Sequence, residues 1–351
     1  MGIGKNGYYT TDDILKCGAK YNLVVSGRGP GKSYAVMTDI LRAAWESHTC
    51  VLGYLRRRRE DVQAVDVETD FADKDLAKIT GGEYDTVSVW RRHIYFARTG
   101  EDGKTIRHPK PFARIFSLNQ QEKVKSRQFP SITDLVFEEF ITDGVYLRDE
   151  PRLLQQLVST IFRDRPGRVW MLGNTISRVN PYTIDWHLDH MSAMKPGDID
   201  VYTIDGVRVA VEYSKSRGKT SGMFFGSTGK SIERGTWETH QHLTIDMLDE
   251  DTTIDVCAEI GIKAAGMMFC VTLCVTDKGD LWASVSHTLS IPPDTLTLSD
   301  TPTTDPYTVT TAGDLKPLQI LRRLYRSQKV LYTDQLTGED FVNAIKNSCL
   351  L

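Results

Sequence analysis

The sequence lacks the features of a membrane-spanning, secreted or zinc-binding protein. No window approaches the ~20 apolar residues that a bilayer-spanning helix needs, and residues 1–10 have no apolar core of signal-peptide length. The cysteines show no paired spacing of zinc ligands; they are Cys17, Cys50, Cys257, Cys270, Cys274 and Cys349. We therefore expect a cytoplasmic protein whose cysteines are reduced and mostly buried.

The sequence also lacks an excess of positive charge. Lys and Arg total 43 against 46 Asp and Glu, which gives a formal net charge of -3. A global basic field is therefore excluded, and any binding of nucleic acid would need local basic clusters. With 40% hydrophobic and 25% charged residues, the composition is that of a globular protein, and 351 residues fit one large domain with a smaller one.

Short β-branched runs alternate with helical patterns from about residue 21 to residue 180. This alternation is typical of an α/β fold with a mostly parallel sheet flanked by helices. The runs predicted to be strands are Asn22–Val25, Cys50–Leu55, Asp134–Phe137 and Arg168–Leu172. Between the second and third, His93–Ala97 and Phe112–Leu118 are predicted to form an antiparallel hairpin joined by the polar stretch Arg98–Pro111.

The pattern weakens after Pro181. The tract Ser214–Gly235 is rich in Gly, Ser, Lys and Arg, which is typical of a linker or mobile loop. Beyond it, three alternating runs predict strands and two periodic runs predict helices: Asp255–Ile260, Met268–Thr276, Leu281–His287, Leu315–Ser327 and Gly338–Lys346. We therefore predict a first domain over residues 1–200, a linker region over 201–245 and a small α/β domain over 246–351.

A glycine-rich turn, SGRGPGKS, lies between an apolar run and a helical pattern. This order is the context of a phosphate-binding loop, in which backbone N–H groups hold the β-phosphate, Lys32 bridges the β- and γ-phosphates and the Ser33 hydroxyl binds Mg²⁺. The predicted nucleotide-binding residues are Gly27, Arg28, Gly29, Pro30, Gly31, Lys32 and Ser33. Ser26 stands where the usual motif begins with Gly, and a glycine-rich helix start without a ligand is the alternative interpretation.

A second Gly-Lys-Ser ends the segment GSTGKS, Gly226–Ser231. It lies inside the polar tract, with no buried strand before it and no clear helix after it, so its context favours a linker. Lys230 could still contact nucleic-acid phosphate.

Two adjacent carboxylates end the apolar run DLVFEEF, Asp134–Phe140. A hydrolytic NTPase needs one carboxylate to hold Mg²⁺ and a neighbour to orient and deprotonate the attacking water. We predict that Glu138 takes the metal role and Glu139 the catalytic one, at the end of a strand neighbouring the glycine-rich turn. A strand that simply ends in solvated acids is the alternative.

Polar and basic residues follow the next apolar run and the helix before it. Asn174 could present its amide to the γ-phosphate or the attacking water, although turn chemistry explains it equally well. In ring ATPases an arginine of one subunit stabilises charge at the γ-phosphate of its neighbour, and Arg163 is the candidate here, with Arg165 as the second choice. A solvated charge cluster is the alternative.

Two further basic runs flank the predicted strands. The run Lys123–Arg127, which includes Lys125, could meet phosphate across a subunit boundary. The run Arg56–Arg59 could contact DNA or support the nucleotide site, and the acids that follow it also permit a self-neutralised helix start.

In this order and at these intervals, the segments resemble the phi-29-type phage packaging ATPases, compact relatives of terminase large subunits. The resemblance is clearest in Asn22–Val36, Glu122–Phe140 and Ile161–Thr183, and it is patchy after residue 185. It implies a P-loop NTPase fold of the ASCE, RecA-like type. It also implies the residue roles: phosphate-binding Lys32, the acidic pair Glu138 and Glu139, a trans-acting Arg163, a trans-acting Lys125, and basic support from Arg56 and Arg57.

The resemblance also implies partners and a location. In that family, five copies form a ring at the portal of an empty capsid shell, with a structural RNA between shell and ATPase, and pump double-stranded DNA inward. We therefore expect ATP and Mg²⁺ as cofactors, and a protein of the host cytoplasm that docks transiently on the procapsid.

The resemblance implies an RNase H-like C-terminal domain that has lost its nuclease carboxylates. Two-metal cleavage needs several converging acids, and Asp255 and Glu259 are the strand-associated ones, whereas Asp277 and Asp280 fall in a turn. The basic helix with Arg322, Arg323 and Arg326 is a candidate phosphate contact or a plain amphipathic helix.

An ATP-driven DNA translocase is the predicted function. The alternatives are a terminase-type motor with an active nuclease, and a nucleic-acid adaptor whose nucleotide site only switches conformation.

Overall fold

The computed structural model describes residues 7–27, 29, 31–142, 145–176, 179–215, 242–247, 254–277, 279–348 and 350–351. The chain divides into two compact units. The first contains the described residues up to 176 and from 188 to 215, and the second contains residues 179–187 and the described residues from 242 onward.

A large, mostly parallel sheet forms the centre of the first unit. Its strands are β1 (Tyr21–Ser26), β2 (Leu52–Arg56), β3 (Thr86–Trp90), β4 (His93–Thr99), β5 (Thr105–Arg107), β6 (Ala113–Ser117), β7 (Asp134–Glu138), β8 (Arg168–Asn174), β9 (Ile199–Ile204) and β10 (Val207–Tyr213). The order is β3-β4-β6-β2-β7-β8-β1-β10-β9, with β5 beside β4. The six strands from β6 to β10 along this order run parallel. The predicted mixed α/β fold with a mostly parallel sheet is confirmed.

The helices of this unit are α1 (Asp12–Lys16), α2 (Lys32–Ser47), α3 (Ala64–Asp70), α4 (Leu76–Ile79) and α5 (Glu150–Phe162). Helix α2 buries one side, including Val36, Ile40 and Leu41, in a cluster with Val24 and Val136 of the sheet. Neighbouring residues of a strand point to opposite faces of the sheet. Leu23 and Leu135, which precede Val24 and Val136, are also buried, so both faces of the central strands are covered.

Strand β8 lies between β1 and β7, so the acidic strand is not the immediate neighbour of the glycine-rich turn. The prediction of a neighbouring strand is corrected in this respect. Adjacent strands lie about 4.8 Å apart, which places the carboxyl ends of β1 and β7 within about 10 Å of each other. Gly173, near the end of β8, keeps this region compact, because a Cβ there would lie 2.8 Å from the Phe140 ring.

The predicted antiparallel hairpin is confirmed, and it is part of a group of four strands, β3 to β6, at one side of the large sheet. Strands β4 and β6 pair antiparallel at His93–Arg114 and Ile94–Ala113. Strand β3 pairs with residues 93–97 of β4. Strand β5 lies in the polar stretch Arg98–Pro111, which was predicted to be a loop, and it pairs with the end of β4. Strand β6 also pairs in parallel with β2, which makes the hairpin continuous with the central sheet.

The predicted start of the linker at residue 201 is wrong. Strand β10 pairs in parallel with β1, and β9 pairs antiparallel with β10, so residues 199–213 belong to the first sheet. Strand β9 lies at the edge of this sheet and is partly exposed, whereas β10 lies between β1 and β9 and is buried from Val209 to Tyr213. Most of the tract Ser214–Gly235, including Gly226–Ser231 and Lys230, lies outside the described residues.

The second unit contains a six-stranded sheet and two long helices. Its strands are β11 (Ile254–Ala264), β12 (Met267–Thr276), β13 (Leu281–His287), β14 (Thr297–Ser299), β15 (Thr308–Val309) and β16 (Val330–Tyr332), in the order β15-β14-β11-β12-β13-β16. Strands β11 to β13 are antiparallel, whereas β14 pairs in parallel with β11. The helices are α6 (Pro181–Asp185), α7 (Lys316–Arg326) and α8 (Gln335–Ser348).

Two segments outside the predicted C-terminal domain join this unit. The Asn347 side chain of α8 donates to the Val179 carbonyl at 3.1 Å, just before α6. Residues 242–247 also belong here, since Thr244 bridges to Tyr332 of β16. The second unit therefore contains residues from before both predicted boundaries, residue 200 and residue 245.

Among the described residues, no helix is long and apolar enough to cross a membrane. The five described cysteines are unbridged, but only Cys274 is buried and Cys257 is exposed, so the expectation of mostly buried thiols is wrong. Cys257 lies on the exposed first half of β11.

The N-terminal segment is attached to the sheet through a buried carboxyl group. The Tyr9 hydroxyl donates to Glu212 Oε2 of β10 at 2.8 Å, and both residues are buried. Burial raises the pKa of Glu212 to about 7, although the Tyr9 hydrogen bond opposes this shift.

This raised pKa predicts a pH dependence of stability. Between about pH 4.5 and 7 the folded chain holds a proton on Glu212 that the unfolded chain releases, so the free energy of unfolding falls as the pH rises. We expect Glu212→Gln to remove about 3 kcal/mol of this decline. Urea unfolding at pH 5 and pH 7.5 measures it, with the exposed Glu83→Gln as control. Equal pH dependence of the two variants would contradict the assignment.

Candidate functional site

The glycine-rich turn joins the end of β1 to the start of α2. Gly31 is the N-terminal cap of α2 with φ 88°, and Gly29 has φ 94°, a left-handed backbone that favours glycine. Helix α2 begins at Lys32, so its first free N–H groups lie at the turn. Arg28 and Pro30 lie outside the described residues, while Gly27 ends the described part of the turn on the β1 side.

The ammonium group of Lys32 is buried at the end of β1. It donates to Ser26 Oγ at 2.8 Å, to the Gly27 carbonyl at 3.3 Å and to Asn174 Oδ1 at 3.1 Å. These three acceptors are neutral, and burial lowers the pKa of Lys32 to about 8. The lysine thus lacks an adjacent anion that would fully compensate its desolvation.

Ser33 contacts the acidic strand across β8. Its hydroxyl donates to Glu138 Oε2 at 3.0 Å, so the two predicted metal-binding residues meet. Burial raises the pKa of Glu138 to about 7, while the hydrogen bond from Ser33 lowers it in part. The longer side chain of Glu, compared with the usual Asp, reaches the Ser33 hydroxyl directly.

Glu139 points away from this pair. Its backbone has φ 57°, and its carboxylate accepts from Arg56 Nη2 at 2.9 Å. The change to a left-handed backbone after the regular strand β7 separates the directions of the two adjacent acids. Arg56 also lies 3.8 Å from Asp70, so Glu139 shares its arginine with a second carboxylate.

Arg57 holds the backbone of the acidic segment in place. It is 7% exposed and donates to the carbonyls of Glu139 at 3.0 Å and Phe140 at 2.8 Å. Its Nε donates to the fully buried Glu150 at 2.9 Å. The Glu150 carboxylate in turn accepts from the Leu147 N–H at 2.9 Å. One buried ion pair thus connects the end of β2, the segment after β7 and the start of α5.

The other predicted basic residues lie away from these contacts. Arg163 is the C-terminal cap of α5, is exposed, and donates to the Arg127 carbonyl at 3.3 Å. Lys125 is exposed and pairs with Glu122. Arg165 donates to the carbonyls of Phe129 and Pro130 within its own chain, so it has a structural task that Arg163 largely lacks.

The sequence patterns pointed to the residues of the turn and to Glu138 and Glu139, but they gave no indication of Glu150 and Asp70. Glu150 is 93 positions from Arg57, and no short motif contains both. The only signal was the run of arginines after the second strand, for which support of the nucleotide site was one of the open interpretations.

We expect Arg57→Met to destabilise the first unit by about 3–5 kcal/mol, because it removes the cation that lies beside the buried Glu150 carboxylate. Chemical denaturation monitored by circular dichroism measures the change. Arg59→Met, at an exposed position two residues away, should stay within about 0.5 kcal/mol of the parent. Similar losses for the two variants would show that the buried pair does not organise this region.

Sequence comparisons identify relatives of this chain. A family model described as Podovirus DNA encapsidation protein (Gp16) matches residues 3–246. The DNA packaging protein of Bacillus phage phi29 is 29% identical over 195 residues, which cover 53% of this chain and 52% of the relative. That of Bacillus phage B103 is 27% identical over 172 residues, which cover 46% of each. The chain thus spans about half the length of the curated relatives it matches.

Solved structures with a similar fold come from phage packaging motors. The Phi-28 gp11 DNA packaging motor has a TM-score of 0.54 and 17% identity, over 99% of both chains. The bacteriophage Phi-29 viral genome packaging motor assembly has a TM-score of 0.57 and 18% identity, over 97% of this chain and 99% of that chain. At these identities the likeness concerns the fold. Because the family model covers more than half of the sequence, the chain belongs to the Podovirus DNA encapsidation protein (Gp16) family.

Proposed function

We propose that this protein is an ATP-driven motor that moves double-stranded viral DNA into a procapsid. One observation carries the proposal: on a turn with left-handed glycines after β1, the Lys32 ammonium is buried and the adjacent Ser33 contacts Glu138 at the end of β7. Membership of a DNA encapsidation family and the packaging role of its relatives support it.

The side chains at this turn include oxygen ligands suited to Mg²⁺ and groups that can bind the phosphates of a nucleotide. Ser33 and Glu138 offer hydroxyl and carboxylate oxygens, which Mg²⁺ prefers, and they approach each other to 3.0 Å. Lys32, Gly29, Gly31 and the start of α2 would hold the phosphates. When bound, Mg²⁺ would neutralise charge that develops on the phosphates. A P-loop fold of the ASCE, RecA-like type is consistent with β8 between the turn strand and the acidic strand.

Protein groups would prepare the attacking water. We assign this role to Glu139, whose carboxylate accepts the proton, and the role of water or phosphate contact to Asn174, which now accepts from Lys32. Arg56 contacts Oε2 of Glu139, which stabilises the ionised carboxylate that a general base needs. Arg57 donates to the Glu139 carbonyl and so holds its backbone in place.

Completion of the site by a neighbouring subunit is part of the proposal. The exposed guanidinium of Arg163 is available to reach an adjacent site, and exposed Lys125 lies on the segment just before Arg127, whose carbonyl Arg163 contacts. Arginine is suited to stabilising charge at a transferred phosphate. We propose a homopentameric ring docked at the capsid portal, with a structural RNA as a further partner.

We propose that the second unit is an RNase H-like domain that binds nucleic acid without cutting it. Three consecutive antiparallel strands followed by β14, parallel to the first of them, support the fold. The strand-associated acids Asp255 and Glu259 are exposed, and no group of three or more His, Cys, Asp or Glu that could hold a metal occurs within the described part of the chain. A terminase-type nuclease is the alternative, and a metal-dependent plasmid-nicking assay separates the two.

Removing the Lys32 ammonium should abolish DNA-stimulated ATP turnover. We expect Lys32→Ala to lower the rate by at least about 100-fold, because the phosphates lose a buried charge-assisted contact. Lys20→Ala, at the exposed other end of β1, is the matched control and should retain turnover. Full turnover by Lys32→Ala would reject the site, and nucleotide binding without hydrolysis in the parent would favour the adaptor function.

Mixing two inactive variants tests the shared site. Rings made from Arg163→Ala and Glu139→Gln subunits should regain ATP turnover, because some interfaces then combine an intact Glu139 with an intact Arg163 from the neighbour. Arg152→Ala, an exposed arginine of the same helix α5, should be active alone. A mixture no more active than the sum of its components would place all catalytic groups within one chain.

A further inference from the structure

We propose that Lys74 is a second phosphate-binding lysine of this site and contacts the terminal phosphate of the bound nucleoside triphosphate. The inference rests on the proposed function, in which Lys32 and Ser33 hold the phosphates and the metal. Lys74 has no part in the roles assigned so far, although its side chain is only 3% exposed.

Lys74 belongs to the segment between α3 and α4, on the β2 side of the acidic strand. The strand order β2-β7-β8-β1 places the end of β7, with Glu138, between the ends of β2 and β1. The last residue of α3, Asp70, accepts a hydrogen bond from Tyr54 of β2, which attaches this segment to the sheet. Lys32 lies at the end of β1, so the two lysines are on different sides of Glu138.

Two interactions place Lys74 beside the proposed metal-binding residues. Its Nζ lies 5.7 Å from the ring centroid of Tyr34, the residue that follows Ser33 in α2. Its charge also acts on Glu138. Burial raises the pKa of Glu138, and nearby groups oppose this shift, in decreasing order Ser33, Arg56, Lys74 and Lys32. Lys74 is therefore at least as strong an electrostatic neighbour of Glu138 as Lys32 is.

The carboxylate that pairs with Lys74 can be exchanged for a phosphate. This carboxylate belongs to Asp73, whose side chain is 66% exposed. An ion pair with one partner largely in water contributes little to stability, because water and salt screen the attraction. A buried ammonium gains more from an anion that enters its own poorly solvated surroundings. We therefore expect Lys74 to leave Asp73 and bind phosphate when the nucleotide enters.

The position of Lys74 relative to the strand ends selects the terminal phosphate. In the proposed site Mg²⁺ lies at Ser33 and Glu138, and in such sites the ion bridges β- and γ-oxygens. Phosphates that extend from Lys32 toward the end of β7 reach the β2 side last. Lys74 would then favour ATP over ADP and neutralise charge on the phosphoryl group that is cleaved.

Binding of two nucleotides to the full-length chain tests the proposal. Isothermal titration with Mg²⁺ would compare a non-hydrolysable ATP analogue with ADP. Lys74→Met, which keeps the aliphatic part of the side chain, should weaken the analogue by about 10-fold and leave ADP unchanged, since one charge-assisted hydrogen bond is lost. Lys78→Met, at an exposed lysine of α4, is the matched control and should bind both ligands like the parent.

A second variant tests the exchange of partners without removing the lysine. Asp73→Asn deletes the carboxylate that competes with the phosphate for Lys74. It should bind the ATP analogue at least as tightly as the parent does. Weaker binding of the analogue by Asp73→Asn would overturn the proposal, and this result can be read even if Lys74→Met does not fold.

The outcomes separate this inference from the function on which it rests. Equal weakening of the analogue and of ADP by Lys74→Met would mean that Lys74 shapes the site rather than binds the terminal phosphate. Unchanged binding of the analogue would also overturn the proposal. If the parent itself binds neither nucleotide, the proposed function fails and the inference fails with it, whereas a parent that binds both while Lys74→Met binds like it sinks only the role of Lys74.

Discussion

The candidate site depends on a buried lysine whose desolvation is only partly offset by the nearby carboxyl group of Glu138. Lys32 is held by three neutral oxygens at the end of β1, and its burial lowers its pKa to about 8. Such an ammonium group gains from an incoming polyanion, because a phosphate would restore the interactions that burial removed. The turn, the start of α2 and the end of β8 all serve to keep this group in position.

The acidic side of the site is organised by a second buried charge. Arg57 and Glu150 form an ion pair in the interior, and Arg57 uses its other nitrogens to bind the carbonyls that follow β7. This arrangement gives two adjacent glutamates different partners: Glu138 faces Ser33, and Glu139 faces Arg56. The direction of each acid is therefore set by residues far away in the sequence.

Local sequence patterns predicted the parts of the site whose chemistry is contained in a short segment. The order of strand, glycine-rich turn and helix placed Lys32 and Ser33, and an apolar run ending in two acids placed Glu138. Contacts between distant segments could not be predicted in this way. Glu150 gave no signal as the partner of Arg57, and β8 was not expected between β1 and β7, because strand order follows from packing of the whole sheet. Most of β9 and all of β10 fall in the predicted linker for the same reason, since β10 joins the sheet by pairing with β1, a strand far away in the sequence.

The most direct test of the central claim is the position of a bound metal and triphosphate. A crystal structure of the chain with a non-hydrolysable ATP analogue and Mn²⁺ would locate the metal by its anomalous scattering. The account predicts Mn²⁺ at about 2.1 Å from Ser33 Oγ, beside Glu138, with the phosphates along the turn and in contact with Lys32. A metal and triphosphate bound elsewhere on the protein, with the Ser33–Glu138 contact undisturbed, would contradict it.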